Sequence, residues 1–176
     1  MSILKKALIK ASGNSLIQNI LEKNVQVSQY LLGIGSGGDV ISSGEQSIFD
    51  VLKQRHESPQ CIFDVGSNKG QFLRLVLDNI TTDNFQIHSF EPGCRTFKIL
   101  SESFKGDKRI KLNNIGIGKD NGAGILHYDS AGSGIASLTK RRLNHFGIDF
   151  NKSEKVEITT IDNYCSENAI SHIQLL

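Results

Sequence analysis

The sequence predicts an α/β fold, and three observations lead to that prediction. From Cys61 onward, short apolar runs alternate with amphipathic stretches, in the order CIFDV, QFLRLVLDNI, FQIHSF, TFKILSESF and RIKLNNIGIG. The runs have the length of strands, and the stretches between them carry apolar residues at helical spacing. This alternation is typical of parallel strands joined by right-handed crossovers. With 176 residues, of which 38% are hydrophobic, the chain is long enough for one such domain with a buried core.

The residues before Cys61 predict helices. Apolar residues recur at helical spacing between Ile3 and Ala11, and again at Leu16, Ile17, Ile20 and Leu21. Ser42 and Glu45 form a capping box, which predicts the start of a helix with an apolar face at Ile48, Phe49 and Leu52. We therefore assign residues 1–58 to a helical lead-in and residues 59–176 to the α/β domain.

The part of the chain after Gly118 predicts a hairpin, a helix and two further strand segments. GILHYD and SAGSGIAS are hairpin-like, and TKRRLNHF predicts a helix whose basic cluster, Lys140–Arg142, is solvated. KVEITTID alternates apolar and polar residues, as a half-buried strand does. ISHIQLL predicts the beginning of another strand.

Composition excludes several classes of function. The chain has 20 Lys and Arg against 18 Asp and Glu, so its formal charge of +2 gives no field that favours nucleic acid or an anionic membrane. No apolar run approaches the length of a membrane span. The three cysteines lack C-x-x-C spacing, which favours reduced thiols in a cytoplasmic protein, and no cluster of residues has the spacing of metal ligands.

Two glycine-rich segments compete for the role of a ligand-binding turn. GIGSGGDV, residues 33–40, matches G-x-G-x-x-G, but the following DVISSG is a poor helix, so the strand–turn–helix context of a dinucleotide loop is missing. DVGSNKGQF, residues 64–72, lies directly between an apolar strand and an amphipathic helix. Its D-x-G-x-x-x-G spacing suits an adenosyl ligand better than a pyrophosphate. We interpret the first segment as a connector and the second as the ligand-binding turn.

A carboxylate at the end of the second predicted strand completes the candidate site. Glu91 follows Gly70 by one helix and one strand, which in a parallel sheet returns its side chain to the same carboxyl edge as Asp64. There an ionised carboxylate can accept hydrogen bonds from both hydroxyls of a ribose. The candidate bases stand in no motif, so we assign no catalytic residue; they are His88, His127, His145 and His172.

Taken together, these segments resemble the FkbM-type methyltransferases, S-adenosylmethionine-dependent enzymes with a Rossmann-like fold. The resemblance covers about residues 43–176 and rests on SGEQSIFDVL, IFDVGSNKGQF, HSFEP, NNIGIGKDNG and VEITTIDNY. It implies that S-adenosyl-L-methionine is the cofactor. It also implies that the reaction is O-methylation of a hydroxyl on a small molecule, a sugar or a glycan.

The resemblance assigns roles to individual residues. The positions around the methionine end of the cofactor and its ribose correspond to Asp64, Gly66, Ser67, Asn68, Gly70 and Glu91. Asn114 matches the position that reaches toward the adenine, although Gly116 stands where the family more often carries alanine. Ser133 and Ser137 match a serine-bearing loop near the substrate, with a flexible turn as the alternative.

The end of the sequence departs from the family pattern. The family continues from a segment like ISHIQLL into K-x-D-x-E-G, whereas this sequence stops at Leu176. We therefore expect a truncated chain and an incomplete sheet, with strand edges that an oligomer or a partner would cover. Two other functions stay open: a non-catalytic remnant, and an NAD-binding oxidoreductase, which would need G-x-G-x-x-G at residue 66.

Overall fold

The computed structural model describes residues 13–32, 44–54, 60–143 and 147–176, which belong to two compact units, Met1–Ile48 and Phe49–Leu176. In the first unit, helix α1 (Ser15–Leu31) confirms the helical spacing predicted there. Asn14 caps it, because its side chain accepts hydrogen bonds from the N–H groups of Leu16 and Ile17. None of the helices in the described ranges combines the length and the apolarity that crossing a membrane requires.

The predicted strand–helix alternation is present in the second unit. Helix α2 (Ser47–Gln54), whose first two residues belong to the first unit, comes first. It is followed by β1 (Cys61–Val65), α3 (Gln71–Asn79), β2 (Gln86–Phe90), α4 (Cys94–Ser103) and β3 (Ile110–Asn113). The three strands pair in parallel in the order β1-β2-β3. Val65 lies opposite Phe90, and Phe90 lies opposite Asn113, so all three strands end in register at one edge.

A short segment near Leu176 lies on the other side of β1. The N–H of Gln174 donates to the carbonyl of Cys61 at 3.0 Å, and the N–H of Phe63 donates to the carbonyl of Leu175 at 2.8 Å. No strand forms at ISHIQLL, but this isolated parallel bridge between Ile62 and Leu175 pairs part of the outer edge of β1. The order across the sheet therefore reverses at β1, and such a reversal is where ligands bind in open α/β sheets.

A second sheet follows β3. Strand β6 (Lys152–Thr159) pairs in parallel with β4 (Gly116–Ile117) and antiparallel with β5 (Gly122–Tyr128). The strand predicted at KVEITTID is thus confirmed. GILHYD is a strand as well, but its partner is β6, and it meets the predicted hairpin partner SAGSGIAS only at an isolated antiparallel bridge between His127 and Ser137. The prediction of one continuous strand over residues 109–118 is wrong. The pairing of β3 with β2 stops at Asn113. The next residue, Asn114, does not extend the strand, because its side chain donates to the carbonyl groups of Glu91 and Pro92.

Helices flank the parallel sheet. Helix α5 (Ile161–Glu167) packs on one face, where the ring of Tyr164 lies edge-on to Phe63 and Phe90, with centroids 5.7 and 4.7 Å apart. On the other face Ile62 and Ile87 are fully buried, and the right-handed crossover rule assigns α3 and α4 to that side. The unit is an α/β domain compatible with a Rossmann-like fold.

Two predicted helix starts are wrong. Helix α2 begins at Ser47, so Glu45 precedes it; Gly44, with a φ of +88°, forms a turn that Ser47 closes by donating to the Gly44 carbonyl. Ser42, the other half of the predicted capping box, lies outside the described residues. Residues 139–143 are not helical, because the hydroxyl of Ser137 accepts the N–H of Thr139 and stabilises a local turn in place of a helix.

Candidate functional site

The turn between β1 and α3 has a backbone shape that favours glycine. Gly66, Asn68 and Gly70 have φ angles of +84°, +49° and +82°, in the left-handed region that most L-residues avoid. A Cβ added to Gly66 would meet no atom within 4 Å, so the outer side of this backbone is open. The structure therefore leaves room for a ligand to approach the turn at Gly66.

Gly70 has a different task. A Cβ at this position would lie 2.2 Å from Cε2 of Phe104 and 3.0 Å from Cδ1 of Leu100. A glycine at this point of a strand–turn–helix unit predicts close packing of the helix on the sheet. That prediction is wrong in its partner, because the close neighbours are Leu100 of α4 and Phe104, which follows α4.

Ser67 attaches the turn to the ends of β1 and β2. Its hydroxyl donates to the carbonyl of Asp64 at 2.9 Å and accepts from the hydroxyl of Ser89 at 2.6 Å. The N–H groups of Gly66 and Ser67 both donate to the carbonyl of Phe90, at 2.9 and 3.1 Å. Ser67 and Asp64 are buried, so the structure gives Ser67 a role in attaching the turn to β2.

Glu91 lies at the same rim as the turn, as its spacing predicts. The N–H of Asn68 donates to its Oε2 at 2.9 Å, and the N–H of Gly93 donates to its Oε1 at 2.8 Å. The side chain is buried, with 7% of its surface exposed. Burial raises the pKa of the Glu91 carboxyl, the two N–H groups act in the opposite direction, and the charge of Glu154 raises the pKa further.

The side chain of Asn68 connects the turn to the loop between β5 and β6. A Cβ on Gly134 would lie only 2.8 Å from Nδ2 of Asn68, so this glycine allows the loop to lie directly against the turn. Oδ1 of Asn68 is buried and has no hydrogen-bond partner among the residues that the structure describes. The loop and the turn therefore enclose one polar acceptor between them.

Ser133 and Ser137 use their hydroxyls within that loop. The hydroxyl of Ser133 accepts the N–H of Ile135 at 3.3 Å, and its hydrogen bond to Asp129 is the main reason why the pKa of Asp129 lies below its ordinary value. Ser137 exchanges two backbone hydrogen bonds with His127, at 2.8 and 2.9 Å. The loop is thus an ordered extension of β5, and it brings Ser133 close to the turn.

Asn114 braces the rim at Glu91. Its Nδ2 donates to the carbonyl of Glu91 at 2.8 Å and to that of Pro92 at 3.1 Å. Its reach toward an adenine stays a prediction. At Gly116 the nearest atom to an added Cβ is 3.6 Å away, which is ordinary contact, so the alanine that is more common in the FkbM family would fit here.

The histidines considered as bases have separate environments. Nδ1 of the buried His88 lies 2.9 Å from the hydroxyl of Tyr164, which itself donates to Asn113, so His88 is the donor in this chain. Burial, with a lesser effect of the charge of Lys111, lowers the pKa of His88 to about 4. His127 lies in β5 and His172 is exposed, while His145 and the segment GIGSGGDV lie outside the described residues.

Three residues near the rim were missed by the sequence analysis. They are Gly93, which donates to Glu91, Gly134, which contacts Asn68, and Glu154, whose charge acts on Glu91. The E-P-G order of residues 91–93 was a possible signal for the first. The other two depend on how the β5–β6 hairpin folds over the rim, which no local pattern encodes.

The fold and the site define this protein as an α/β domain with a glycine turn and a buried carboxylate at the carboxyl edge of its parallel sheet. Among the described residues, no three His, Cys, Asp or Glu side chains are grouped as metal ligands would be. No protein-family model matches the chain, and no curated protein matches it in sequence.

Proposed function

We propose that this protein binds S-adenosyl-L-methionine at the rim formed by residues 66–70 and Glu91 and transfers its methyl group to a hydroxyl. The acceptor in this proposal is a small molecule, a sugar or a glycan. The observation that carries the proposal is the hydrogen bond from the N–H of Asn68 to Oε2 of Glu91. It joins a glycine turn that is open to ligands to a strand-end carboxylate, next to the point where the strand order reverses.

The hydrogen-bonding capacity of Glu91 supports a ribose at this position. An ionised carboxylate offers about four lone-pair positions, and the N–H groups of Asn68 and Gly93 use two of them. Two positions are left, which matches the two hydroxyls of a ribose. The turn offers no G-x-G-x-x-G phosphate cradle, so an adenosyl compound suits it better than a dinucleotide.

The methionine end of the cofactor matches the other part of the rim. Oδ1 of Asn68 is a buried acceptor without a partner among the described residues, and it would accept from the ammonium group of the cofactor once the loop that covers it is displaced. When bound, the cofactor would supply an electrophilic methyl group: the acceptor oxygen would form a bond to it as the carbon–sulfur bond breaks, S-adenosylhomocysteine would leave, and the hydroxyl proton would pass to solvent. The chain's own contribution is to orient the two reactants, and this alone can account for a large part of a rate enhancement.

Calorimetry on the full chain tests the proposal. We expect S-adenosylhomocysteine to bind and NAD not to bind, and we expect the Glu91→Gln variant to bind S-adenosylhomocysteine at least tenfold more weakly. Glu157→Gln is the matched control, because Glu157 is an exposed glutamate on β6. Absence of both binding and thermal stabilisation at high S-adenosylhomocysteine concentration would favour the non-catalytic alternative, and NAD binding would favour the oxidoreductase. A cytosolic setting stays a prediction.

A further inference from the structure

A cavity of about 320 Å³ lies beside the candidate cofactor rim, between α4, strands β5 and β6, and the loop that joins these two strands. This volume falls at the lower end of the range that is typical of small-molecule sites. The cavity meets the rim at two points. Gly93 lines one end and donates to Glu91, and Ser133 lines another part next to Gly134, which lies against Asn68.

The walls combine apolar surface with a few polar groups. The apolar part consists of Leu126, Tyr128, Ala131 and Ala136. Hydroxyl groups come from Ser130 and Ser133, and Glu154 contributes a half-buried carboxylate. An apolar lining with a few hydroxyl and carboxylate groups suits a ring compound that carries several hydroxyls of its own.

Two cations add a further requirement. Arg95 and Lys98 both line the cavity from α4. The salt bridges found among the described residues all involve Arg109, so neither of these cations is paired with a carboxylate there. With Glu154 as the acidic group on the wall, the cavity carries an excess of positive charge. A ligand with one negatively charged group would balance it.

We propose that this cavity binds the methyl acceptor, and that the acceptor is a hydroxylated ring compound of monosaccharide size bearing a carboxylate or a phosphate. The inference rests on the proposed methyl transfer and specifies its second substrate. Leu126 and Tyr128 contact the ring, Glu154 and the serine hydroxyls bind its hydroxyl groups, and Arg95 and Lys98 bind the anionic group.

Cys94 provides a direct readout of occupancy. It lines the cavity and is exposed, whereas Cys61 and Cys165 are partly buried and burial raises the pKa of both thiols, which slows their alkylation. The alkylation rate of the full chain, with Cys94→Ser as the background control, is measured with glucuronate, glucose 6-phosphate and glucose. Each probe is tested with and without S-adenosylhomocysteine, and calorimetry records the binding of that compound separately.

We expect at least one of the two anionic sugars to protect Cys94, also when S-adenosylhomocysteine is bound, and glucose to protect about tenfold more weakly. Arg95→Ala and Lys98→Ala should raise the half-protecting concentration about tenfold, because each removes a charge-assisted hydrogen bond. Lys105→Ala, an exposed lysine away from the cavity, should not change it. Ala136→Leu should occupy part of the cavity and weaken protection, with Ala123→Leu on β5 as the control and circular dichroism as the check on folding.

Four results would overturn all or part of the inference. Equal protection by glucose would show that the ligand needs no anionic group. Protection by none of the sugars would show that the cavity does not bind an acceptor of this kind. If S-adenosylhomocysteine alone protects Cys94 and Ala136→Leu abolishes its binding, the cavity belongs to the cofactor, and the methyl-transfer proposal stands without this acceptor site. If the sugars protect but S-adenosylhomocysteine does not bind, the proposed methyl transfer fails while the sugar site remains.

Discussion

Replacing Glu91 with glutamine tests the rim by exchanging one oxygen for an NH2 group. Both hydrogen-bond partners of the carboxylate are N–H donors. In either orientation of the glutamine amide, its NH2 group therefore lies opposite one of these N–H groups, and no hydrogen bond can form between the two donors. An unpaired buried donor costs about 1–3 kcal/mol. Burial raises the pKa of Glu91, which means that burying its charge is unfavourable, and the neutral amide avoids this cost and offsets part of the loss. We therefore expect the free energy of unfolding to fall by about 1–2 kcal/mol at neutral pH.

Cofactor affinity should fall further. The amide loses an acceptor for at least one ribose hydroxyl, and a hydrogen bond to a charged group contributes about 1.5–3 kcal/mol, which corresponds to a loss of affinity of about 10- to 100-fold. Urea unfolding gives the first quantity and calorimetry with S-adenosylhomocysteine the second, each against Glu157→Gln. If Glu91→Gln loses stability yet binds as tightly as the unmodified chain, Glu91 only supports the turn and the ribose assignment is refuted.

The pH dependence of binding provides a second measurement on the same carboxylate. The ionised carboxylate is the better acceptor of hydrogen bonds from hydroxyl groups, and the pKa of Glu91 in the folded protein lies above its ordinary value of 4.5. Affinity should therefore fall with decreasing pH from a point above 4.5. Glu154→Gln removes a neighbouring negative charge and should move this fall to lower pH. An unchanged profile in that variant would contradict the coupling between the two carboxylates.

Three further predictions concern stability, each measured by urea unfolding. Gly70→Ala should cost about 3 kcal/mol or more, since it adds overlap with Phe104 to the strain of a left-handed φ, whereas Gly66→Ala should cost about 1 kcal/mol from strain alone; equal losses would refute the packing argument. Gly116→Ala should change stability by less than about 1 kcal/mol, since its Cβ meets ordinary contacts, and a larger loss would contradict that fit. As pH falls from 6.5 toward 4, His88 becomes protonated in the unfolded state but stays neutral in the folded state, where it is buried. The free energy of unfolding should therefore decrease. The full shift of the His88 pKa corresponds to about 3 kcal/mol of stability, and we expect a loss of about 2 kcal/mol, because the contribution from the exposed Lys111 is screened by salt. If the stability of His88→Phe and that of the unmodified chain change with pH in parallel, this assignment is wrong.

Two of the parallel strands, β1 and β2, could be predicted because they carry buried residues on both faces. Ile62 and Phe63 in β1, and Ile87 and Phe90 in β2, are almost fully buried, which gives continuous apolar runs that need no partner to be recognised. The break after Asn113 could not be predicted in this way. It depends on a side chain that reaches the carbonyl groups of another strand end, and such a contact exists only once the sheet has formed.

The same distinction applies to the site. The turn and Glu91 follow from spacing, because each lies at the end of a strand whose direction the alternation fixes. Gly134 and Glu154 come from the β5–β6 hairpin, whose position over the rim is a matter of tertiary packing. Local patterns therefore predict the part of the site that belongs to the parallel sheet, and not the part that closes over it.

The rim is held together by backbone N–H groups, and this has a consequence for binding. The turn bonds to Phe90 and Glu91 through the N–H groups of Gly66, Ser67 and Asn68. A ligand then has to order few groups of the protein, and ordering is one of the main costs of association. The N–H groups do not depend on side-chain identity, so the side chains that the turn requires from β2 and its end are the hydroxyl of Ser89 and the carboxylate of Glu91. The same carboxylate stabilises the rim and offers its remaining lone pairs to a ligand, which is why a change at Glu91 should affect stability and affinity together.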